Sequence, residues 1–169
     1  VTVMFTEIVN FTGISESQTP EELVYEIDFC FKALDEIIER NGLEKSKTIG
    51  DAYLAVCGLP KPNANHAAQT LKAAKEILEF VSSSNGKFGI RIGVHTGSVV
   101  AGIVGSKKYA YDIWGDTVNT AARMEQNSED GKVNVSSSTY QLTASDFNFI
   151  YRGKIKAKNK GEIDMYFLA

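Results

Sequence analysis

Apolar and polar residues alternate over residues 1–9 (VTVMFTEIV), where β-branched side chains are frequent, and this predicts a β-strand. Glu7 interrupts the face set by Val1, Val3 and Phe5 close to the strand's end. The next pattern is helical. Thr19 stands at a capping position, Pro20 at the first helical position, and Glu22 completes a capping box. Leu23, Ile27, Phe31, Leu34 and Ile38 hold the 3.6-residue period until Asn41 and Gly42 stop it. Two short strands follow, about 43–49 and 52–58, joined by a tight turn at Gly50-Asp51. A second helix covers about 65–82, with Ala67, Leu71, Ala74, Leu78 and Val81 inward. Phe88, Ile90, Ile92 and Val94 then alternate as a fourth strand.

This order, βαββαβ, is that of a ferredoxin-like α+β core. A strand near 99–104, a helix near 117–126 and a β-rich tail extend it toward the C-terminus. With 169 residues and no repeats or low-complexity tracts, residues 1–169 read as one domain. Such a core hosts many activities, so function has to be read from sites.

Composition removes several classes. A net charge of −3 argues against a nucleic-acid binder, and no apolar run reaches the ~18 residues that span a bilayer. Cys30 and Cys57 lie in apolar stretches without metal-ligand spacing and are expected as reduced, buried thiols in a cytoplasmic setting. His66 and His95 lack a second ligand at useful spacing and read as structural. Because Val1 already lies within a strand-like run, we expect the chain to be part of a longer protein carrying a regulatory sensor domain.

Glu7 and Asp51 are the first candidates for chemistry. In a ferredoxin-like sheet the first and third strands are neighbours, so the two carboxylates can converge as hard oxygen ligands beside a phosphate. The same residues also read as a solvated strand-end acid and an ordinary turn aspartate. Residues 9–15 (VNFTGIS) form a small-residue turn whose backbone N–H groups could meet phosphates, although the Gly-Lys-Ser/Thr ending of a Walker loop is absent. Asn119 and Arg123, four residues apart, share a helix face that also reads as solvated. Lys154, Lys156, Lys158 and Lys160 alternate as if on one side of a strand, a pattern that also protects sheet edges.

Longer stretches carry more than spacing. FTEIVNFT (5–12) and KTIGDAYLA (47–55) resemble the two metal-binding segments of class III adenylyl and guanylyl cyclases. RIGVHTG (91–97) and VAGIVG (100–105) are similar to their central strands. YDIWGDTVNTAARM (111–124) resembles their base-recognition and transition-state segment, and RGKIKAKNKG (152–161) their phosphate-binding strand. The blocks fall in family order along nearly the whole chain. The resemblance implies that Glu7, Asp51 and the Ile8 carbonyl hold two divalent ions, Mg2+ or Mn2+. It implies backbone N–H groups of Phe11 and Thr12 on the phosphates, Lys47 and Asp112 on the base, Asn119 and Arg123 at the transition state, and Lys158 on the terminal phosphates. It also implies a homodimer with composite sites, because one domain supplies the metal-binding acids and the other the base-reading and transition-state residues.

Lys47 only donates and an ionised Asp112 only accepts, which suits the N1 acceptor and N6 donor of adenine. The expected substrate is therefore ATP, converted to cyclic AMP and pyrophosphate. Three positions depart from the family pattern. Glu7 stands where aspartate is usual, Asn10 where glycine is usual, and Ser98 where some members carry a phosphate-touching arginine. These departures keep open a catalytically weak or inactive nucleotide-binding regulator, and a guanylate cyclase is a further alternative.

Overall fold

A computed structural model describes residues 1–84, 88–106 and 110–169. Strand β1 (Thr2–Val9) lies between β3 (Ala52–Cys57) and β4 (Gly89–Thr96), antiparallel to both, and β2 (Glu44–Ile49) flanks β3. This β2-β3-β1-β4 order is the expected ferredoxin-like arrangement. The sheet continues through β7 (Val133–Ser136), parallel to β4, then β9 (Gly161–Leu168) and the edge strand β8 (Phe149–Ala157). A separate ribbon pairs β5 (Val100–Val104) with β6 (Ala110–Trp114).

Being central, β1 is buried on both faces. Met4 and Ile8 pack with Leu34, Leu71 and Ile77 beneath helices α2 (Pro20–Arg40) and α3 (His66–Ser83). Val3 and Phe5 face the other way, with Leu54, Ile113 and Ala121 of helix α4 (Asp116–Gln126). Strand periodicity puts Glu7 on this second face. The Thr19 box closes as expected: its hydroxyl accepts from the Glu22 N–H at 3.2 Å, and the Glu22 carboxylate accepts from the Thr19 N–H at 3.0 Å. Cys30 and Cys57 are buried free thiols. His66 Nδ1 shares a hydrogen bond with Thr2 Oγ1, and His95 Nδ1 one with Ser136 Oγ.

Two local expectations are corrected. Most of the turn read over residues 9–15 falls in helix α1 (Phe11–Ser17): Asn10 turns the chain through a left-handed conformation (φ 57°), and its side chain lies over Gly13, where a Cβ would sit 2.6 Å from Asn10 Oδ1. The lysine ladder breaks after Lys156, because β8 ends at Ala157 and Lys158 and Lys160 occupy the turn into β9, with Asn159 at φ 64°. Helix α5 (Ser137–Thr143) and strand β6 were not anticipated; both are short and lack a clear period.

Candidate active site

Antiparallel register sets Glu7 opposite Ala52 on one side and Arg91 on the other. Asp51 immediately precedes Ala52 in the hairpin turn, so both carboxylates line one cleft with Ile8, Asn10, Phe11, Thr12 and Arg91. Arg91 Nη2 makes an ion pair with Glu7 Oε2, while its Nε donates to Glu125 Oε1 of α4. Helix α4 reaches this depth because residue 93 is glycine: a Cβ there would lie 1.9 Å from the Glu125 backbone nitrogen. Partial burial raises the Asp51 pKa, and the Glu7 charge adds to that rise. Glu125 is raised mainly by burial, which Arg91 opposes and Glu7 reinforces.

Among the described residues, no three His, Cys, Asp or Glu side chains gather as a self-sufficient metal cage. Two carboxylates and a backbone carbonyl in an open cleft are hard oxygen donors that fit Mg2+ or Mn2+, provided that substrate phosphates complete the shell. The donor set therefore fits such ions.

A second group assembles between β2 and β6. A bulge in β2 between Lys45 and Lys47 shifts the register, and Lys47 Nζ donates to Asp112 Oδ2 at 3.0 Å. The other oxygen, Oδ1, accepts from the Ile113 N–H at 2.8 Å and from Ser46 Oγ at 3.4 Å. Burial pulls the Asp112 pKa up, but the Lys47 hydrogen bond and charge, with the Ile113 amide and Ser46, outweigh it, so the carboxyl lies below its ordinary value. At neutral pH Asp112 is an acceptor only.

The third group spans α4 and the β8–β9 turn, where Asn119, Arg123 and Lys158 line a cleft with Asp116 and Gln126. Two contacts hold the turn against the helix. Lys160 Nζ meets Asp116 at 2.6 Å, and Arg123 Nη1 donates to the Lys156 carbonyl at 2.7 Å. Asp116 also lies in the first turn of α4, where a carboxylate is favoured. Lys158 thus reaches its neighbours from a turn. Glu7, Ile8, Asp51, Phe11 and Thr12 share one cleft, Asn119, Arg123 and Lys158 another, and Lys47 with Asp112 form a contact pair of their own.

Arg91, Glu125 and Ser46 were not singled out from sequence. Arg91 carried a usable signal: the alternation of Phe88, Ile90, Ile92 and Val94 places it on the opposite face, the face that holds Glu7. Glu125, four residues after Ala121, shares the buried side of α4.

A family model described as the adenylate and guanylate cyclase catalytic domain matches residues 1–169. The chain is 37% identical over 170 residues to an adenylate cyclase of Mycobacterium tuberculosis, covering 98% of this chain but only 38% of that protein. Among solved structures it is similar to the guanylate cyclase domain of RhGC from Catenaria anguillulae in complex with GTP (35% identity, TM-score 0.94, 99% of this chain and 94% of that one). It is equally similar to the catalytic core of a rhodopsin-guanylyl cyclase with converted specificity in complex with ATPαS (36% identity, TM-score 0.94, with the same shares covered).

Proposed function

The chain belongs to the adenylate and guanylate cyclase catalytic domain family, and from that premise we propose that residues 1–169 form one catalytic domain converting ATP to 3′,5′-cyclic AMP and pyrophosphate. The observation that carries the choice of ATP is the Lys47–Asp112 pair. Lys47 retains N–H donors for adenine N1, and Asp112 retains acceptor capacity for the N6 amino group. A guanine presents an acceptor and a donor in the reverse order, and leaving site groups unpaired against the wrong base is heavily penalised.

In this reading the ribose 3′-oxygen attacks the α-phosphorus in line and pyrophosphate leaves. The 3′-hydroxyl gives its proton to water, the bond from the 3′-oxygen to the α-phosphorus forms, and the bond from the α-phosphorus to the bridging oxygen of the leaving pyrophosphate breaks. Glu7, Asp51 and the Ile8 carbonyl would hold two divalent ions, Mg2+ or Mn2+. When bound, these supply acidification of the attacking hydroxyl and neutralisation of phosphate charge. The chain's own groups do the positioning on which phosphoryl chemistry depends. Backbone N–H groups of Phe11 and Thr12 receive phosphate oxygens. Arg123 leaves the Lys156 carbonyl to fork onto phosphate oxygens as charge develops, while Asn119 on the same helix face orients the ribose. Lys158, presented by its pinned turn, meets the terminal phosphates.

The acid cleft and the Asn119–Arg123–Lys158 cleft lie in different parts of one chain, which supports a homodimer in which each site takes one cleft from each protomer. The β5–β6 ribbon offers a seam for it: Val100 and Ile103 are 67% and 70% exposed, with Val104 and Trp114 beside them. No helix among the described residues is long and apolar enough to cross a membrane. Two free thiols and an ATP substrate favour a cytoplasmic placement, with a regulatory sensor domain elsewhere in the full-length protein.

The test is cyclic nucleotide formation from ATP and from GTP, with Mg2+ and with Mn2+. Cyclic AMP from ATP is expected, lost in Asp51→Ala, with the preference for ATP reduced at least tenfold in Lys47→Glu. Cyclic GMP as the main product would make the domain a guanylate cyclase. Glu7, one methylene longer than the aspartate usual at its position, favours a second reading as a nucleotide-binding regulator. Absence of product with either nucleotide and either metal would select it.

A further inference from the structure

The geometry points to Arg91 and Glu125 as positioning residues that hold the Glu7 carboxylate in place for metal binding, an assignment resting on the proposed metal role of Glu7 and Asp51. Glu7 is the longer of the two cleft acids, and its third side-chain bond would let the carboxylate sample much of the open cleft. Arg91 removes that freedom. It stands directly across from Glu7 in the β1–β4 register and fixes Oε2 through Nη2. The guanidinium is itself fixed, because its Nε donates to Glu125, whose side chain is almost fully buried under α4. The backbone at Glu125 is seated by the close approach of α4 to Gly93, where there is no room for a Cβ. The line of support runs from helix backbone to Glu125, to Arg91, to Glu7.

Charge follows the same logic. An unaccompanied guanidinium beside the cleft would repel a divalent cation, as like charges within a few ångströms do. Glu125, which pairs with Arg91 and is not among the residues lining the cleft, offsets that charge, so Arg91 can orient Glu7 without spoiling the site. Partners of this kind behind a ligating carboxylate typically contribute 10–100-fold in metal affinity.

The arrangement depends on reach. An aspartate at position 7 is one methylene shorter and draws back from Arg91, so the support should matter for glutamate and much less for aspartate. A double-mutant cycle reads this as non-additivity. Mn2+ binding to the domain in complex with 3′-deoxy-ATP, which supplies the phosphates but cannot cyclise, would be titrated by electron paramagnetic resonance, with the analogue and Mn2+ alone as the blank. Arg91→Gln is expected to raise the Mn2+ dissociation constant about tenfold when residue 7 is Glu, and less than about threefold in Glu7→Asp. Glu125→Gln, which keeps an oxygen for the Arg91 Nε but removes the offsetting charge, should weaken binding in the same direction, and Arg91→Lys should be intermediate. Equal losses in the Glu7 and Glu7→Asp backgrounds, as general damage to the fold would give, overturn the assignment. So does a change below twofold in both Arg91→Gln and Glu125→Gln. Glu7→Ala and Asp51→Ala distinguish the underlying reading: if Mn2+ binding is absent in the wild type or survives both, the metal site itself is wrong and this assignment falls with it.

Discussion

His95 is buried, shares a hydrogen bond with Ser136 Oγ at 2.6 Å through Nδ1, and has no partner for Nε2 among the described residues. Burial, with a smaller push from Lys160, lowers its pKa to about 4. The unfolded chain therefore takes up this proton first as pH falls. Stability is lost from the ordinary histidine value near 6.5 down to about 4, by up to ~3 kcal/mol. Asp51 and Glu125, whose pKa values are raised, work in the opposite sense, so the wild-type profile is a balance. His95→Gln is expected to lose less stability than wild type between pH 7 and 5, measured as urea midpoints at each pH; parallel profiles would rule this out. The side chains' individual chemistry was largely legible in the sequence, because carboxylates, lysines and the Asn119–Arg123 spacing declare their types. What they touch was not: the Arg91–Glu7 and Arg91–Glu125 contacts join residues 84 and 34 positions apart, and a periodicity says nothing of such pairings.

At the scale of elements, the strands of the βαββαβ core and the long helices followed from period and caps, the helices because each buries one recognisable face. The Thr19 box and the Asn41-Gly42 stop bound α2 as read. Where the chain's course depends on a single backbone conformation, the pattern fell short, as at Asn10 before α1 and at Asn159 beyond β8. Gly93 is the position at which element packing and site meet. Gly93→Ala would push its Cβ to 1.9 Å from the Glu125 nitrogen, so α4 or β4 must shift. Overpacking of this kind costs about 1–3 kcal/mol or more. A lowered urea midpoint is expected, together with loss of cyclase activity, because Glu125, Asn119 and Arg123 ride on the same helix. An unchanged midpoint would mean that the sheet yields freely there.

At the scale of the whole molecule, the proposed composite site rests on resemblance, since no intrachain pattern assigns two clefts of one protomer to different sites. The apolar ribbon is the physical counterpart of that expectation. Ile103→Asp should shift sedimentation from dimer toward monomer and lower specific activity in proportion, because a charge on a seam that buries apolar surface is not compensated. The most direct measurement mixes two inactive proteins. Asp51→Ala removes the acid cleft, and Arg123→Ala removes the other. In an equimolar mixture that exchanges subunits freely, half of the dimers are mixed and each of these holds one intact site. The account predicts negligible cyclic AMP from either variant alone and about one quarter of wild-type activity from the mixture. A mixture as inactive as its components, despite demonstrated subunit exchange, or either variant active by itself, would contradict it.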